Sequence, residues 1–244
     1  MTKNFLLATT CLVVGATSAS ALEFTGATIG AEYMAYTSSD LDDVTSLGFS
    51  SELEFSLAPS FSMALNMSRE SLDVDGVPFD LTSSDISLHG IYSVNDAVKV
   101  GAFVAQNGFF YYDSDSYGIE AAYDGGSYNV AGYIGAADFA IADETMTLFG
   151  LNGDYAFANG FGVQAAVDVI DFQDFDVTVA TSTIGATYDF GNGVSISADL
   201  GRIDYDDGGF SDEETFVSVG TTFAFGPEGG TTFRTPKGYD LFFF

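Results

Sequence analysis

Leu47-Gly48-Phe49-Ser50-Ser51-Glu52-Leu53-Glu54-Phe55-Ser56-Leu57-Ala58-Pro59-Ser60-Phe61-Ser62-Met63-Ala64-Leu65-Asn66-Met67 is the stretch whose reading decides the fold. In an extended chain alternate side chains take opposite faces, so Leu47, Phe49, Leu53, Phe55 and Leu57 share one side. Gly48, Ser50, Glu52, Glu54 and Ser56 share the other. After Ala58-Pro59-Ser60 the pattern restarts, with Phe61, Met63, Leu65 and Met67 opposite Ser62, Ala64, Asn66 and Ser68. Period two interrupted by a proline turn is a β-hairpin. A soluble sandwich would cover the apolar face with a second sheet. Here every later segment repeats the device, and that much one-sided apolar sheet predicts lipid outside and water inside. The expected fold is a closed antiparallel transmembrane β-barrel.

Residues 1–21 read as a secretory signal peptide, with Lys3 as the charge, Phe5 to Gly15 as a short apolar core and Ala19-Ser20-Ala21 as the cleavage site. The apolar run is shorter than the roughly 20 residues a helical span needs. The single cysteine, Cys11, lies inside it, so the mature chain has neither a disulfide framework nor a thiolate metal site. Mean hydropathy is +0.21, yet no later run is long and apolar enough for a membrane helix. The formal charge of −29 becomes one unit more negative once Lys3 is removed. Such a surface repels nucleic acid, whose binding requires Lys and Arg to replace counterions.

Alternating segments follow one another through Phe225 and give about twelve strands, the barrel spanning residues 22–225. Polar, acidic stretches alternate with tight turns. The polar set comprises Ser38 to Asp43, Asp73 to Ser83, Asn107 to Ser116, Asp138 to Glu144, Asp171 to Asp176 and Asp204 to Glu214. The tight set includes Asp124-Gly125-Gly126, Ala158-Asn159-Gly160 and Gly191-Asn192-Gly193. Sorting by parity predicts short periplasmic turns and longer acidic external loops, and an even strand count returns both ends to the periplasm. A Greek-key sandwich has no reason to sort its connections this way. Phe55, Phe61, Tyr92, Tyr123, Tyr128, Tyr155, Phe161, Tyr188 and Phe225 keep the lipid-facing parity near the short-turn end, as an interfacial aromatic girdle would. Phe49, Tyr117 and Phe149 begin the opposite girdle. Residues 226–244, with Pro227 and Pro236, read as a C-terminal periplasmic tail whose Tyr239 to Phe244 run is a second candidate for strand pairing.

By the same parity Glu52, Glu54, Lys99, Glu120, Gln164, Asp168 and Asp199 line the pore, and an acidic lumen favours cations. Inward Ile91, Phe103 and Tyr133 narrow that passage. Arg69 and Arg202 keep outward parity close to the external end, where a snorkelling guanidinium meets lipid headgroups, including lipopolysaccharide phosphates. Neither Asp73-Val74-Asp75-Gly76 nor Asp204-Tyr205-Asp206-Asp207-Gly208 has EF-hand spacing, so no metal site and no cofactor is expected beyond weak divalent binding. His89, the only histidine, shares a face with Ser87, but two residues without a recognisable nucleophile motif or an orienting third group do not make a hydrolase. The chain reads as non-enzymatic.

The signal ending at Ala21, the following Leu22-Glu23-Phe24-Thr25-Gly26, the glycine-rich alternating strands and the segment Phe225-Gly226-Pro227-Glu228-Gly229-Gly230-Thr231-Thr232-Phe233 together resemble Gram-negative outer-membrane porins of the alphaproteobacterial, Rhodobacter-like type. The likeness spans essentially the mature chain, as a small member. It implies passive diffusion of small hydrophilic solutes or ions across the bacterial cell outer membrane, commonly through homotrimers, with insertion by the outer-membrane assembly machinery that reads an aromatic residue closing the last strand. The chain departs from the family in having about twelve strands instead of sixteen, no inward third loop with facing arginines, and an extension beyond Phe225. A non-conducting structural or adhesive outer-membrane barrel is the alternative, and a soluble β-sandwich the third reading.

Overall fold

The computed structural model describes residues 22–37, 44–74, 81–109, 112–139, 144–172, 176–227 and 229–234. Among them are twelve strands and no helix: β1 (Glu23–Tyr36), β2 (Val44–Ala58), β3 (Phe61–Val74), β4 (Leu81–Ser93), β5 (Val98–Phe109), β6 (Tyr112–Asp124), β7 (Tyr128–Phe139), β8 (Glu144–Ala156), β9 (Phe161–Phe172), β10 (Val177–Asp189), β11 (Val194–Asp206) and β12 (Ser211–Phe225). Each pairs antiparallel with its sequence neighbour, and β12 returns to β1 along a register from Ala27↔Phe225 to Tyr36↔Phe216. The closed antiparallel barrel of twelve strands expected from the sequence is the architecture observed.

The opening hairpin pairs Leu53 with Leu65 and Glu52 with Asn66, so the two apolar rows share one face and the two polar rows the other. The apolar rows face outward, and Ile119, Ile184 and Val219 remain more than 60% exposed. At the short-turn end the outward aromatics meet across strands, with Phe61 and Tyr92 centroids 4.9 Å apart and Phe161 and Tyr188 4.8 Å apart. A register shift between Phe24 and Gly26 keeps this ring continuous through the first strand. It sets Phe24 opposite Phe55 and within 6.0 Å of Phe225, while Gly26 falls opposite inward Glu54. Short turns are held by their own side chains: Asn95 Oδ1 accepts from the backbone N–H of Ala97 and of Val98 at 2.9 Å each.

The strands outrun the polar punctuation read from the sequence. Asn107 to Ser116 is ladder up to Phe109↔Tyr112, Asp138 pairs with Thr145, Asp171 with Thr178, and Asp204 with Glu213. The physical reason is length. Strands here have 12–15 residues, whereas crossing the hydrocarbon takes about 9–11. The surplus lies above the apolar band, where a polar side chain is barred from neither the sheet nor water. Of the external connections, Asp207 to Phe210 is a four-residue turn closed by Asp207 N–H donating to Phe210 O at 3.1 Å. The signal region and most of the expected loops, including 38–43 and 75–80, lie outside the described residues.

Ile119, 63% exposed and paired with Ile134 and Ala102 near mid-strand, tests which face meets lipid. Replacing it with arginine should destabilise the barrel by roughly 2–4 kcal/mol in denaturant titrations from lipid vesicles. Thr183→Lys on the inner face should leave the midpoint close to wild type. Equal effects at the two positions would contradict the assignment of faces.

Candidate functional site

The inward parity carries two kinds of residue, sorted by height. Toward the external end the lumen is apolar: Tyr36, Val44, Leu72, Met146, Leu148, Ile170, Phe172, Val179, Ile203 and Phe216 are buried in one cluster that reaches down to Phe103 and Tyr133. The rings lie flat across glycines of the neighbouring strand. A methyl at Gly150 would collide with the Tyr133 ring, and one at Gly201 with the Phe216 ring. Nearer the periplasmic end the inward residues are mostly polar or small, with carboxylates at Glu32, Glu52, Glu54, Glu120, Asp154, Asp168 and Asp199.

Glu52, Glu54, Lys99, Glu120, Gln164, Asp168 and Asp199 all sit on this inner face. The structure gathers them at two walls. On the first, His89 Nδ1 lies 2.9 and 3.0 Å from the two Glu120 oxygens, and its Nε2 lies 2.8 Å from Ser87 Oγ and 3.2 Å from Asn66 Nδ2. These partners assign the tautomer: Nδ1–H donates to Glu120, and Nε2 accepts from the serine hydroxyl and the asparagine amide. On the second wall the Tyr133 hydroxyl donates to Asp168 Oδ1 at 2.8 Å, and Gln164 Nε2 donates to Asp199 Oδ1 at 2.5 Å.

Glu120 is the orienting third group that the sequence did not reveal, because it comes from a different strand. Serine, histidine and carboxylate are thus in relay order. His89 is nonetheless 0% exposed and Ser87 1%, so no acyl group can approach the hydroxyl in this conformation. With Asn66 of β3 on Nε2, the relay ties three strands together across the wall.

Between the walls runs the segment that follows β12. The reading of residues 226–244 as a tail outside the barrel is corrected for its first part; Tyr239 to Phe244 lies outside the described residues. Positive φ at Gly226 and Gly229, 108° and 74°, reverses the chain, and Gly229 N–H donates to Gly226 O at 3.2 Å. The segment then passes so close over Gly26 that a methyl there would strike the Gly230 carbonyl. Thr231 Oγ1 donates to Glu52, and Thr232 N–H donates to Glu54 Oε2 at 2.7 Å. Lys99 Nζ donates to Thr232 Oγ1 at 2.9 Å. Phe233 is buried against Ala64 and Ile91, lies nearly parallel to His89 at 6.3 Å, and its carbonyl accepts from Asn66 Nδ2 at 3.0 Å. Arg234 then reaches Asp168 on the far wall with one guanidinium nitrogen, 2.8 and 2.9 Å from its two oxygens. The segment is a strap across the bore.

Beside the strap a cavity of about 300 Å³ remains, bordered by Glu32, Glu70, Asp154, Asp168, Asp199 and Arg234 among others. On the outside, Arg202 is half exposed and paired with Asp204 and, at 2.8 Å, with Glu213. Arg69 is exposed and lies opposite Phe49. Both the apolar mouth and the strap had a sequence signal. Met146 and Leu148 have the opposite parity to Phe149 and Leu151, and Arg234 follows a glycine-rich reversal in a chain with only six Lys and Arg.

No protein-family model matches the chain, and no curated protein matches it. Solved structures do. The NanC porin superposes with a TM-score of 0.64 at 8% identity, covering 80% of this chain and 98% of that one. The KdgM porin gives 0.58 at 10% identity, covering 81% and 99%. An outer membrane channel from Pseudomonas putida F1 gives 0.54 at 14% identity, covering 86% and 98%. At such identities the likeness is one of fold.

Removing the acceptor of His89 with Glu120→Ala should cost about 1–3 kcal/mol in denaturant titrations, because a buried donor is left unsatisfied. Hydrolysis of dispersed phospholipid by the refolded chain should stay at background and be identical in Ser87→Ala. A serine-dependent rate would make the relay catalytic.

Proposed function

We propose that this chain is a channel of the bacterial outer membrane through which small hydrophilic solutes or ions diffuse passively, with a preference for cations. The observation that carries the reading is the cavity beside the strap, where five carboxylates, Glu32, Glu70, Asp154, Asp168 and Asp199, face a single cationic group, Arg234. A passage lined by one sign of charge in low-dielectric walls concentrates the opposite sign. The similarity in fold to porins and channels supports the same reading, as does an outer face suited to lipid, and export with removal of residues 1–21 as a signal peptide is part of the proposal. Arg69 and Arg202 are then the guanidinium groups for lipid headgroups and lipopolysaccharide phosphate, and Phe225 the aromatic strand end for the assembly machinery. Homotrimers remain part of this proposal.

The apolar cluster across the external half favours the second reading, a non-conducting structural barrel. Planar-bilayer recordings of the refolded chain separate the two. In a potassium chloride gradient the reversal potential should show cation preference, and Asp199→Asn together with Asp154→Asn should move it toward zero. Anion preference in the unmodified chain would reject the selectivity, and silence under all conditions would favour the structural barrel.

A further inference from the structure

The strap is held as a ligand is held. Residues 231–234 use, in four consecutive positions, a hydroxyl on Glu52, a backbone N–H on Glu54, an aromatic ring against His89 and a guanidinium on both oxygens of Asp168. Arg234 meets Asp168 end-on, one guanidinium nitrogen shared between both carboxylate oxygens in a charge-assisted contact, and its remaining N–H groups give the occupant its guanidinium character. The charges also match. Residues 229–237 carry Arg234 and Lys237 and no acid, in a chain whose Asp and Glu outnumber its Lys and Arg by 35 to 6.

The fit is incomplete. Glu54 Oε1, which Lys99 Nζ approaches only to 4.0 Å, Asn66 Oδ1 and Arg234 Nε are buried and find no hydrogen-bond partner among the described residues. The wall therefore offers acceptors that the strap does not use, and the strap keeps a donor that the wall does not meet. Arg234 and Asp168 both border the 300 Å³ cavity, so a solute in that space meets the occupant and its acceptor together.

We propose that the facing lumenal walls, with Glu52, Glu54 and Asn66 on one side and Asp168 on the other, form a binding site for small cations that combine a guanidinium with peptide-like hydrogen-bonding groups, and that segment 229–234 occupies it as an internal ligand. An arginine-like solute competes with Arg234 for Asp168, and the strap leaves the bore. The consequence for flow rests on the channel reading; the site itself does not.

Thiol labelling tests the site and conductance tests the flow. In the full chain carrying Cys11→Ser and Thr232→Cys, refolded into phosphatidylcholine vesicles, a maleimide should label the strap slowly. Millimolar arginine should accelerate labelling roughly tenfold, the scale expected when a charge-assisted contact is exchanged, and glutamate should not. Asp168→Asn, or Arg234→Gln on the strap side, should accelerate it without any solute, with folding of each variant checked by heat-dependent electrophoretic mobility. Equal labelling with arginine, with glutamate and with neither would overturn the site. Accelerated labelling with an unchanged, non-zero bilayer conductance would establish the site and reject the strap's control of flow, and accelerated labelling with silence throughout would establish the site and reject the channel reading. A conducting chain whose labelling ignores arginine would overturn the site and leave the channel intact.

Discussion

Hydrocarbon offers no partner for a backbone N–H or C=O, so a sheet can cross it only without edges. The ten paired positions between β1 and β12, Ala27↔Phe225 to Tyr36↔Phe216, meet that requirement, and the rest of the molecule follows from it. A closed cylinder assigns every side chain to one of two environments by parity. Lipid selects the outward apolar row and the aromatic ring at its margin, leaving the inward row free to vary with height. The offset at Phe24 and Gly26 shows how tightly the two are linked: one extra residue near the seam returns an aromatic side chain to the outer ring while Gly26 keeps the inward parity of its strand, where the strap needs room.

The inward row has a problem of its own. Barrels of about eight strands fill with their own side chains, whereas those of sixteen or more enclose water. Twelve strands fall between, and this chain divides its bore. In the external half, long apolar side chains and aromatic rings laid over inward glycines reach across and bury one another. In the periplasmic half the wall carries several carboxylates, which cannot pack together without cations or donors, and a segment of the chain supplies both. Its Arg234 brings positive charge beside the wall's own Lys99, and its Thr231 and Thr232 bring donors. The remaining space keeps an excess of negative charge.

The barrel was legible in the sequence because lipid imposes one rule on every strand. Glu52 alternating with Leu53, or Ile119 with Glu120, states the rule locally, and twelve repetitions fix the strand count. Strand ends were less legible: Asp115, Asp171 and Asp204 look like loop residues, yet above the membrane they pair as well as any others. The lumen was half legible. Parity named Glu54, Asp168 and the others as inward, but not that His89 and Glu120 meet from two strands, or that Tyr133 and Arg234 converge on Asp168. Such meetings depend on the curvature of the closed ring, which no local pattern records. Arg234 was misplaced because a glycine-rich exit from the last strand was read as a departure from the barrel when it is a reversal into it.

The strap fixes an order of events in biogenesis. Its anchors on β2 and β3 face its anchor on β9 across the bore, at a separation that exists only when the ring is complete. Its path over Gly26 requires the first strand to stand already beside the last. Docking of residues 229–234 is therefore the final step, taken after insertion and after Phe225 has met its partner, so a half-assembled cylinder stays unstrapped and only a finished one is fastened from within.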